Sequence, residues 1–246
     1  MRKLMLAAVA LALLGSQPLA AQEPANIAAA VADKNRPAGD TARDADRKPA
    51  AMLEFAGIRP GMKVVDLIPG EGYFSRLFAV AVGPKGWVYA FVPTQLDVMM
   101  AKHNATVPTN LPNYPNVSFI HQSVEQFMLP ETMDVVWTSQ NYHDMHDKFM
   151  GPVDLAKANR AIFAALKPGG LYIVLDHAAP GTGLSATETL HRIDPAVVKK
   201  EVTAAGFKFV GESTVLRNPA DPHTALVFDK SIRGHTDQFI YKFRKP

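Results

Sequence analysis

One polar stretch of this 246-residue chain combines the residue types needed to move a proton. Residues 138–147 read TSQNYHDMHD and directly follow an apolar run that is typical of a buried strand. Within it, His143 and Asp144 are suited to act as a general base and its orienting partner. The unperturbed pKa of histidine, about 6.5, favours proton removal near neutral pH. We therefore predict that these two side chains are catalytic.

Two further polar groups follow predicted elements that end at the same place. Asp176 and His177 close the most apolar run of the chain, LYIVLDH, and so lie at the carboxyl end of a predicted strand. His191 and Arg192 come after APGTGLSATETL, a flexible stretch that could close over a site as a lid. Because the carboxyl ends of parallel strands share one edge of a sheet, we expect these four residues to lie near His143 as substrate or lid residues.

The same part of the chain also suits a divalent metal ion, because histidine nitrogens and carboxylate oxygens are common ligands. The candidate ligands are His143, His146, Asp147, Asp176, His177 and His191. The spacing of the two histidines in HDMH matches no strong zinc signature, and Asp144 and Asp147 equally suit helix caps. The sequence leaves this alternative open, and we assign no metal ligand from it.

A glycine-containing loop has the usual layout of a nucleotide-binding site. Residues 64–79 read VVDLIPGEGYFSRLFA: an apolar run with Asp66 near its end, a turn with Gly70 and Gly72, and an amphipathic segment. Glycine permits backbone angles and a close ligand approach that a side chain would block, and the next helix offers free N–H groups. The pattern predicts a strand, a turn and a helix with a ligand over the turn. A turn needed only for packing would give the same pattern.

The elements that must position these residues alternate along the chain. Short β-branched runs alternate with helical patterns, and the last two strand-like runs, 207–216 and 238–246, have no helix between them. We predict an α/β fold: a doubly wound, mainly parallel seven-stranded Rossmann-like sheet with an antiparallel edge strand. Residues 151–170 are predicted to form a helix that ends at the glycines of KPGG. A content of 48% hydrophobic and 20% charged residues is typical of a globular domain.

The N-terminal residues have the composition of an export signal. Residues 1–21 contain two basic residues, an apolar run too short to span a bilayer, and small residues at the end. We predict a cleaved signal peptide, a periplasmic or secreted location and no stable membrane insertion. Residues 22–42 are predicted to be a linker or N-terminal arm, and residues 43–246 the functional domain.

Charge and cysteine content exclude other classes. Removal of residues 1–21 lowers the formal charge from +3 to +1, with 24 basic against 23 acidic residues, so nothing predicts a nucleic-acid partner. The chain has no cysteine, which excludes disulfides and thiolate chemistry. The sequence does not determine the oligomeric state.

From about residue 43 to residue 246 the chain resembles the class I S-adenosylmethionine-dependent methyltransferases. The segment DLIPGEG places Asp66, Gly70 and Gly72 where the family has an acid and alternating glycines, with Ile68 in place of the first glycine. IFAALKPGGLYIVLDH looks like the family's LKPGG motif and following strand, and the terminal strand pair matches its antiparallel edge. NYHD and HRID are similar to motifs of a small group of exported, predicted methyltransferases.

This resemblance implies that S-adenosylmethionine is the cofactor and that a small-molecule nucleophile accepts the methyl group. The implied cofactor-binding residues are Asp66, Pro69, Gly70, Glu71, Gly72, Tyr73, Val92, Ser123, Val124 and Asn141. Tyr142, the third predicted catalytic residue, and Asn141 would position the sulfonium or the acceptor beside His143 and Asp144.

The chain departs from the family at two polar contacts. Val92 and Ser123 stand where the family commonly has acids that bind the ribose hydroxyls and the adenine amino group. The loss of one charge-assisted hydrogen bond costs about 1.5–3 kcal/mol. S-adenosylmethionine is also made in the cytosol, whereas export is predicted. A second hypothesis therefore stays open: an exported protein of this fold that binds another small ligand or a metal, without methyl transfer.

Overall fold

The structure is a computed structural model that describes residues 26–246. The predicted signal peptide, residues 1–21, lies outside the described residues. Among those described, no helix combines the length and the apolar character needed to cross a membrane.

A seven-stranded sheet forms the centre of the described chain. Its strands are β1 (Lys63–Leu67), β2 (Trp87–Pro93), β3 (Val117–Gln122), β4 (Met133–Ser139), β5 (Leu166–His177), β6 (Lys208–Ser213) and β7 (Gln238–Arg244). Their order is β3-β2-β1-β4-β5-β7-β6, and neighbouring strands from β3 to β5 are parallel. Strand β7 is antiparallel to both β5 and β6. The predicted mainly parallel sheet, with its antiparallel pair at one edge, is confirmed.

Helices cover both faces of this sheet. They are α1 (Ile27–Val31), α2 (Ala38–Thr41), α3 (Asp44–Arg47), α4 (Pro49–Ala56), α5 (Tyr73–Val82), α6 (Asp97–Lys102), α7 (Leu155–Ala165), α8 (Thr187–Leu190) and α9 (Pro195–Ala204). Short 3₁₀ helices lie at Thr94–Leu96, His143–His146 and Lys148–Met150. Successive residues of β1 point to opposite faces, so Val64 packs in the layer of α4 and α5 while Val65 packs in the layer of α7 and α9. Burial on both faces explains the continuous apolar runs of the parallel strands.

The predicted helix over residues 151–170 is wrong at both ends. Helix α7 begins after Asp154, whose carboxylate accepts a hydrogen bond from the amide of Lys157, and it ends at Ala165. Leu166 already has extended backbone angles, and Gly170 pairs with Lys245 as part of a strand. Because Pro168 disfavours helical angles at the residue before it, the LKPGG segment begins β5 instead of closing the helix.

The described part of the predicted linker or arm packs on the domain. Helix α1 lies against α5, and Ala30 is fully buried there. Asp40 is also buried and accepts a hydrogen bond of 2.7 Å from Arg76 Nε in α5. Arg36 forms an ion pair with Asp44 at the start of α3. These contacts hold α3 beside the carboxyl edge of the sheet.

Candidate active site

The loop between β1 and α5 has an unusual backbone. Ile68, Gly70 and Gly72 all have positive φ angles, of 59°, 55° and 84°. A positive φ is rare for a β-branched residue such as isoleucine. Hydrogen bonds hold Ile68 there: its amide donates to the carbonyl of Phe91 at 2.9 Å, and its carbonyl accepts from Asn141 Nδ2 at 3.1 Å. The loop therefore has the conformation that three alternating glycines would give, although only two are present.

The two glycines of this loop have different surroundings. A Cβ atom at Gly70 would meet nothing within 4 Å, so the space above it is open, and its φ of 55° favours glycine. A Cβ atom at Gly72 would lie 3.3 Å from Arg76 Nη1, and Gly72 caps α5 instead of lining a cavity.

Asp66 lies beneath the loop as a buried carboxylate. It is 2% exposed and accepts a hydrogen bond of 2.6 Å from Ser75 Oγ. Burial raises the pKa of Asp66 to about 6, although the Ser75 hydrogen bond and the charge of Arg47 act in the opposite direction. The side chain is thus charged at neutral pH at an energetic cost, which a cationic ligand group would reduce.

A cavity of about 950 Å³ extends from this loop to the histidines that follow β4 and β5. The predicted site residues that line it are Asp66, Pro69, Gly70, Glu71, Tyr73, Val92, Asn141, His143, Asp144, His177 and His191. They meet because β1, β2, β4 and β5 all end at this edge of the sheet. Such a volume is at the upper end of the range for small-molecule sites.

Tyr142 points away from this cavity, which contradicts its predicted catalytic role. Its side chain is fully buried, and its hydroxyl donates to Glu201 Oε2 at 2.8 Å and accepts from Asn159 Nδ2 at 2.9 Å. In the tight 3₁₀ turn after β4, consecutive side chains diverge, so His143 turns towards the cavity and Tyr142 does not. Tyr142 instead joins the layer of α7 and α9.

The two predicted cofactor contacts after β3 also lie outside the lining. Val124 is fully buried in the core. Ser123 Oγ accepts a hydrogen bond from Gln95 Nε2 at 2.9 Å, which ties it to the segment after β2. Apolar residues of β2, of the segment after it and of α6 form the wall in their place: Val92, Leu96, Met99 and Met100.

Arg192 and the predicted lid are held in place by the surrounding structure. The Arg192 guanidinium is completely buried and forms a two-point ion pair with Asp221, at 2.7 and 3.2 Å, so a substrate contact is excluded. Residues 178–190 are tied down, since the amide of Gly181 donates to Asp194 Oδ2 at 3.0 Å and Ala178, Ala179 and Ala186 are buried. The exposed aromatic rings at the cavity mouth belong to Phe149 and Phe228.

His143 is the centre of a hydrogen-bonded network. Its Nδ1 lies 2.8 Å from the buried Asp176, and its Nε2 lies 3.1 Å from Asp144 Oδ1 and 3.2 Å from His191 Nδ1. Burial lowers the pKa of His143, but Asp176 and Asp144 outweigh burial and raise it to about 10. In this arrangement the imidazole holds its proton more tightly than a base with the ordinary histidine pKa, and its catalytic role stays a prediction. Asp176 does not line the cavity and acts as the orienting partner instead.

The other polar candidate residues, His177, His146 and Asp147, differ in their hydrogen bonding. His177 bonds Thr236 Oγ1 at 2.7 Å, and burial lowers its pKa to about 4, so it is neutral. His146 lies 3.2 Å from Glu201 and faces away from His143. Asp147 is 2% exposed, burial raises its pKa, and neither of its carboxylate oxygens has a hydrogen-bond donor.

Sequence reasoning missed two basic residues at the start of the predicted functional domain, in and directly before α3. Arg43 and Arg47 line the cavity, and their guanidinium carbons lie 5.1 and 4.7 Å from the centre of the Tyr73 ring. Arg47 also donates to Gln140 Oε1 at 2.9 Å, and its burial lowers its pKa. The pattern of the segment held no signal for this role, because the contact depends on how α3 packs against the domain.

Comparison with solved structures identifies the class of fold. The chain matches an S-adenosylmethionine-dependent methyltransferase from Aquifex aeolicus with a TM-score of 0.53 and 15% identity, over 83% of this chain and 98% of that one. It matches the cyclase SpnF with a TM-score of 0.54 and 19% identity, over 82% and 81% of the two chains. Together with the strand order, these matches show the Rossmann-like methyltransferase fold.

The chain is also similar in sequence to ubiquinone/menaquinone biosynthesis C-methyltransferases. The ubiquinone/menaquinone biosynthesis C-methyltransferase UbiE of Ectopseudomonas mendocina is 29% identical over 192 residues, which are 77% of this chain and 65% of that protein. UbiE of Pasteurella multocida is 32% identical over 129 residues, 52% of this chain and 44% of that protein. The chain thus spans less than two thirds of the length of either relative. No family model matches the chain.

These relatives confirm the resemblance to S-adenosylmethionine-dependent methyltransferases. The narrower resemblance, to an exported group, stays a prediction.

Proposed function

We propose that the protein is an S-adenosylmethionine-dependent methyltransferase with a small-molecule acceptor. The observation that carries the proposal is the run of positive φ angles at Ile68, Gly70 and Gly72. A chain that needed only a packing turn has no reason to hold an isoleucine in this conformation, which costs about 1–2 kcal/mol. Strain of this kind persists where a site requires it. UbiE-type relatives support the same activity.

The cavity fits this cofactor. Open space lies above Gly70, the buried carboxylate of Asp66 suits an amino group, and the apolar wall from β2 and α6 suits a purine ring. Arg43 and Arg47 line the cavity beside Tyr73, where their positive charge suits a carboxylate. When bound, S-adenosylmethionine supplies a methyl group on an electrophilic sulfonium.

The chain's own residues act chiefly by orientation. Asn141 Nδ2 donates to the carbonyls of Ile68 and Ser139, at 3.1 and 2.6 Å, and so fixes the loop after β4 against the glycine-containing loop. His143 and Asp144 face the cavity from that loop. Holding the acceptor in line with the methyl donor can by itself supply most of the barrier reduction in such a transfer.

We infer the acceptor class from the relatives. UbiE is named as a C-methyltransferase of ubiquinone and menaquinone biosynthesis, so a ring that carries oxygen substituents is the first class to test. Phe149 and Phe228 at the cavity mouth would stack on such a ring.

Calorimetric titration of the purified protein with S-adenosylmethionine and S-adenosylhomocysteine tests the cofactor. We expect a dissociation constant near 1 μM, about −8 kcal/mol, and loss of binding in Gly70→Val. The matched control is Gly169→Val: Gly169 also has a positive φ, 79°, and open space around it, but it lies at the opposite end of β5. If neither compound binds at millimolar concentration, the methyltransferase proposal fails.

A second candidate is ligand binding in this fold without methyl transfer. It is favoured by Val92, which lines the cavity at the end of β2 and offers no carboxylate to ribose hydroxyls. The likeness to the cyclase SpnF also shows that the fold is not confined to methyl transfer. Formation of S-adenosylhomocysteine in the presence of acceptors separates the two candidates, because only the first predicts it.

We further propose that the protein is exported. The composition of residues 1–21 supports this, with its basic start, apolar run and small residues before Gln22. Cell fractionation, with N-terminal sequencing of the product, tests it. A product that begins at Gln22 outside the cytoplasm is expected, and an uncut chain in the cytoplasm would contradict the proposal.

A further inference from the structure

Four side chains on the His143 side of the cavity bring ligand atoms close together. His143, Asp144, Asp147 and His191 each offer a ring nitrogen or a carboxylate oxygen, and these atoms lie within 4.8 Å of one another. Within residues 26–246 this is the one group of such residues that could hold a metal ion. The group takes three of the ligands that sequence reasoning had considered and adds Asp144.

Three of these atoms form a nearly regular triangle. His143 Nε2 lies 3.1 Å from Asp144 Oδ1 and 3.2 Å from His191 Nδ1, and the last two atoms are 3.5 Å apart. Ligands at about 2.0–2.1 Å from a tetrahedral zinc ion lie about 3.3–3.4 Å from each other. The triangle therefore has the size of one face of a zinc coordination tetrahedron.

The fourth residue gives an independent reason for a cation. Asp147 is 98% buried, and both of its carboxylate oxygens lack a hydrogen-bond donor. The hydroxyl of Thr187 lies near this carboxylate and partly offsets its burial, but it donates its hydrogen bond to the carbonyl of Leu184 at 3.2 Å. A buried carboxylate without partners is costly, and native proteins pair such groups or bind metal with them. Because its oxygen points into the group, a bound cation would satisfy it.

The surroundings prepare His143 as a ligand. Asp176 accepts hydrogen bonds from His143 Nδ1 at 2.8 Å and from the backbone amides of His143 and His177, at 2.8 and 2.7 Å. This fixes the ring so that Nε2 faces Asp144 and His191. A carboxylate behind the histidine is the usual arrangement behind metal-bound imidazoles. His191 has a left-handed backbone, φ 51°, at the end of α8, which directs it into the same group.

We propose that His143, Asp144, Asp147 and His191 bind one divalent transition-metal ion, and that zinc is the ion that fits best. Two imidazole nitrogens and two carboxylate oxygens suit zinc, whereas magnesium and calcium prefer oxygen ligands alone. His143, Asp144 and His191 also line the cavity, so the ion faces the space available to an acceptor. The proposal goes beyond methyl transfer and does not depend on it.

Zinc titration of the chelator-treated full-length protein, without any cofactor, tests the site. We expect one zinc per chain with a dissociation constant of micromolar or below, and a zinc-dependent rise in the unfolding temperature. Asp147→Asn keeps the shape of the side chain but removes its charge, so we expect at least a tenfold weaker affinity and no zinc-dependent rise. His146→Gln is the matched control, because His146 lies in the same turn but bonds Glu201 outside the group.

The test has clear opposing outcomes. A network of protonated histidines and carboxylates, without a metal, predicts no zinc uptake by the wild type, and that result would overturn the proposal. Equal weakening by Asp147→Asn and His146→Gln would overturn it as well, since zinc would then bind elsewhere. If Asp147→Asn does not fold, His191→Ala replaces it, because the His191 side chain is 25% exposed. Metal content by mass spectrometry after dialysis gives the stoichiometry.

Discussion

The backbone of Ile68 allows a direct test of how the loop after β1 is built. The substitutions Ile68→Gly and Ile68→Ala both remove the side chain and differ from each other by a single methyl group. With φ at 59°, alanine stays in the left-handed region that disfavours every residue with a Cβ atom, whereas glycine does not. We therefore expect the glycine variant to be the more stable of the two.

The stability difference between the glycine and alanine variants follows from two opposing contributions. A left-handed conformation costs a residue with a Cβ atom about 1–2 kcal/mol, and the extra freedom of unfolded glycine costs about 0.5–1 kcal/mol. At position 68 the free energy of unfolding of the glycine variant should therefore exceed that of the alanine variant by about 1 kcal/mol. In an ordinary strand the order is reversed, with alanine favoured by about 0.5–1 kcal/mol.

Ile120 supplies the matched control for this comparison. It is also a half-buried isoleucine packed against the same core layer, but it lies within β3. Urea unfolding of the four variants gives the stability difference between glycine and alanine at each position. The two differences should themselves differ by about 2 kcal/mol, and the loss of the isoleucine side chain cancels within each of them. If alanine is more stable than glycine at both positions, position 68 carries no backbone strain, and the argument from the loop to the cofactor fails.

Three further predictions concern buried polar groups. The pKa of Asp66 is raised from 3.8 to about 6 in the folded state, so between these pH values the folded state binds more protons than the unfolded state. The free energy of unfolding should therefore fall as the pH rises from 3.8 to about 6, by about 3 kcal/mol in all. Urea unfolding at pH 4 and pH 7 should show this fall in the wild type and not in Asp66→Asn. The same fall in the variant would show that Asp66 is not its cause. Tyr142→Phe should lower the free energy of unfolding by about 1 kcal/mol, through loss of the bond to Glu201, and leave S-adenosylmethionine affinity unchanged; a tenfold loss of affinity would return Tyr142 to the site. Arg192→Met should destabilise by about 3–5 kcal/mol, because Asp221 is left buried without its partner; a near-neutral result in thermal unfolding would show that the pair is not needed.

The order of elements could be predicted from sequence because local pattern determines it. The burial of both faces makes the parallel strands apolar throughout, and the glycines at 72 and 83 mark where α5 begins and ends. The start of β5 could not be read in this way. Glycine after a helical pattern suggests a helix end, but the hydrogen bond from Lys245 to Gly170, which is distant in sequence, makes LKPGG part of a strand.

For the site as well, sequence predicted the positions of some residues but not their protonation. Residues at strand ends, such as Asp66 and Asp176, were found because the carboxyl edge of a parallel sheet is a property of topology. The protonation of the site residues could not be predicted in this way. The raised pKa of His143 depends on the approach of Asp176 and Asp144 to its two nitrogens, which the spacing in the chain does not fix.

Asp147 shows why the distinction matters for function. In sequence it has the appearance of a helix cap, and a cap would have accepted backbone hydrogen bonds. In the structure its oxygens accept none, while the cap of α7 is Asp154. A carboxylate that is buried without serving the backbone must be compensated by something else, and His143, Asp144 and His191 surround the place where a cation would do so. The buried acid, more than the histidine spacing, is therefore the feature that separates a metal site from a set of surface histidines.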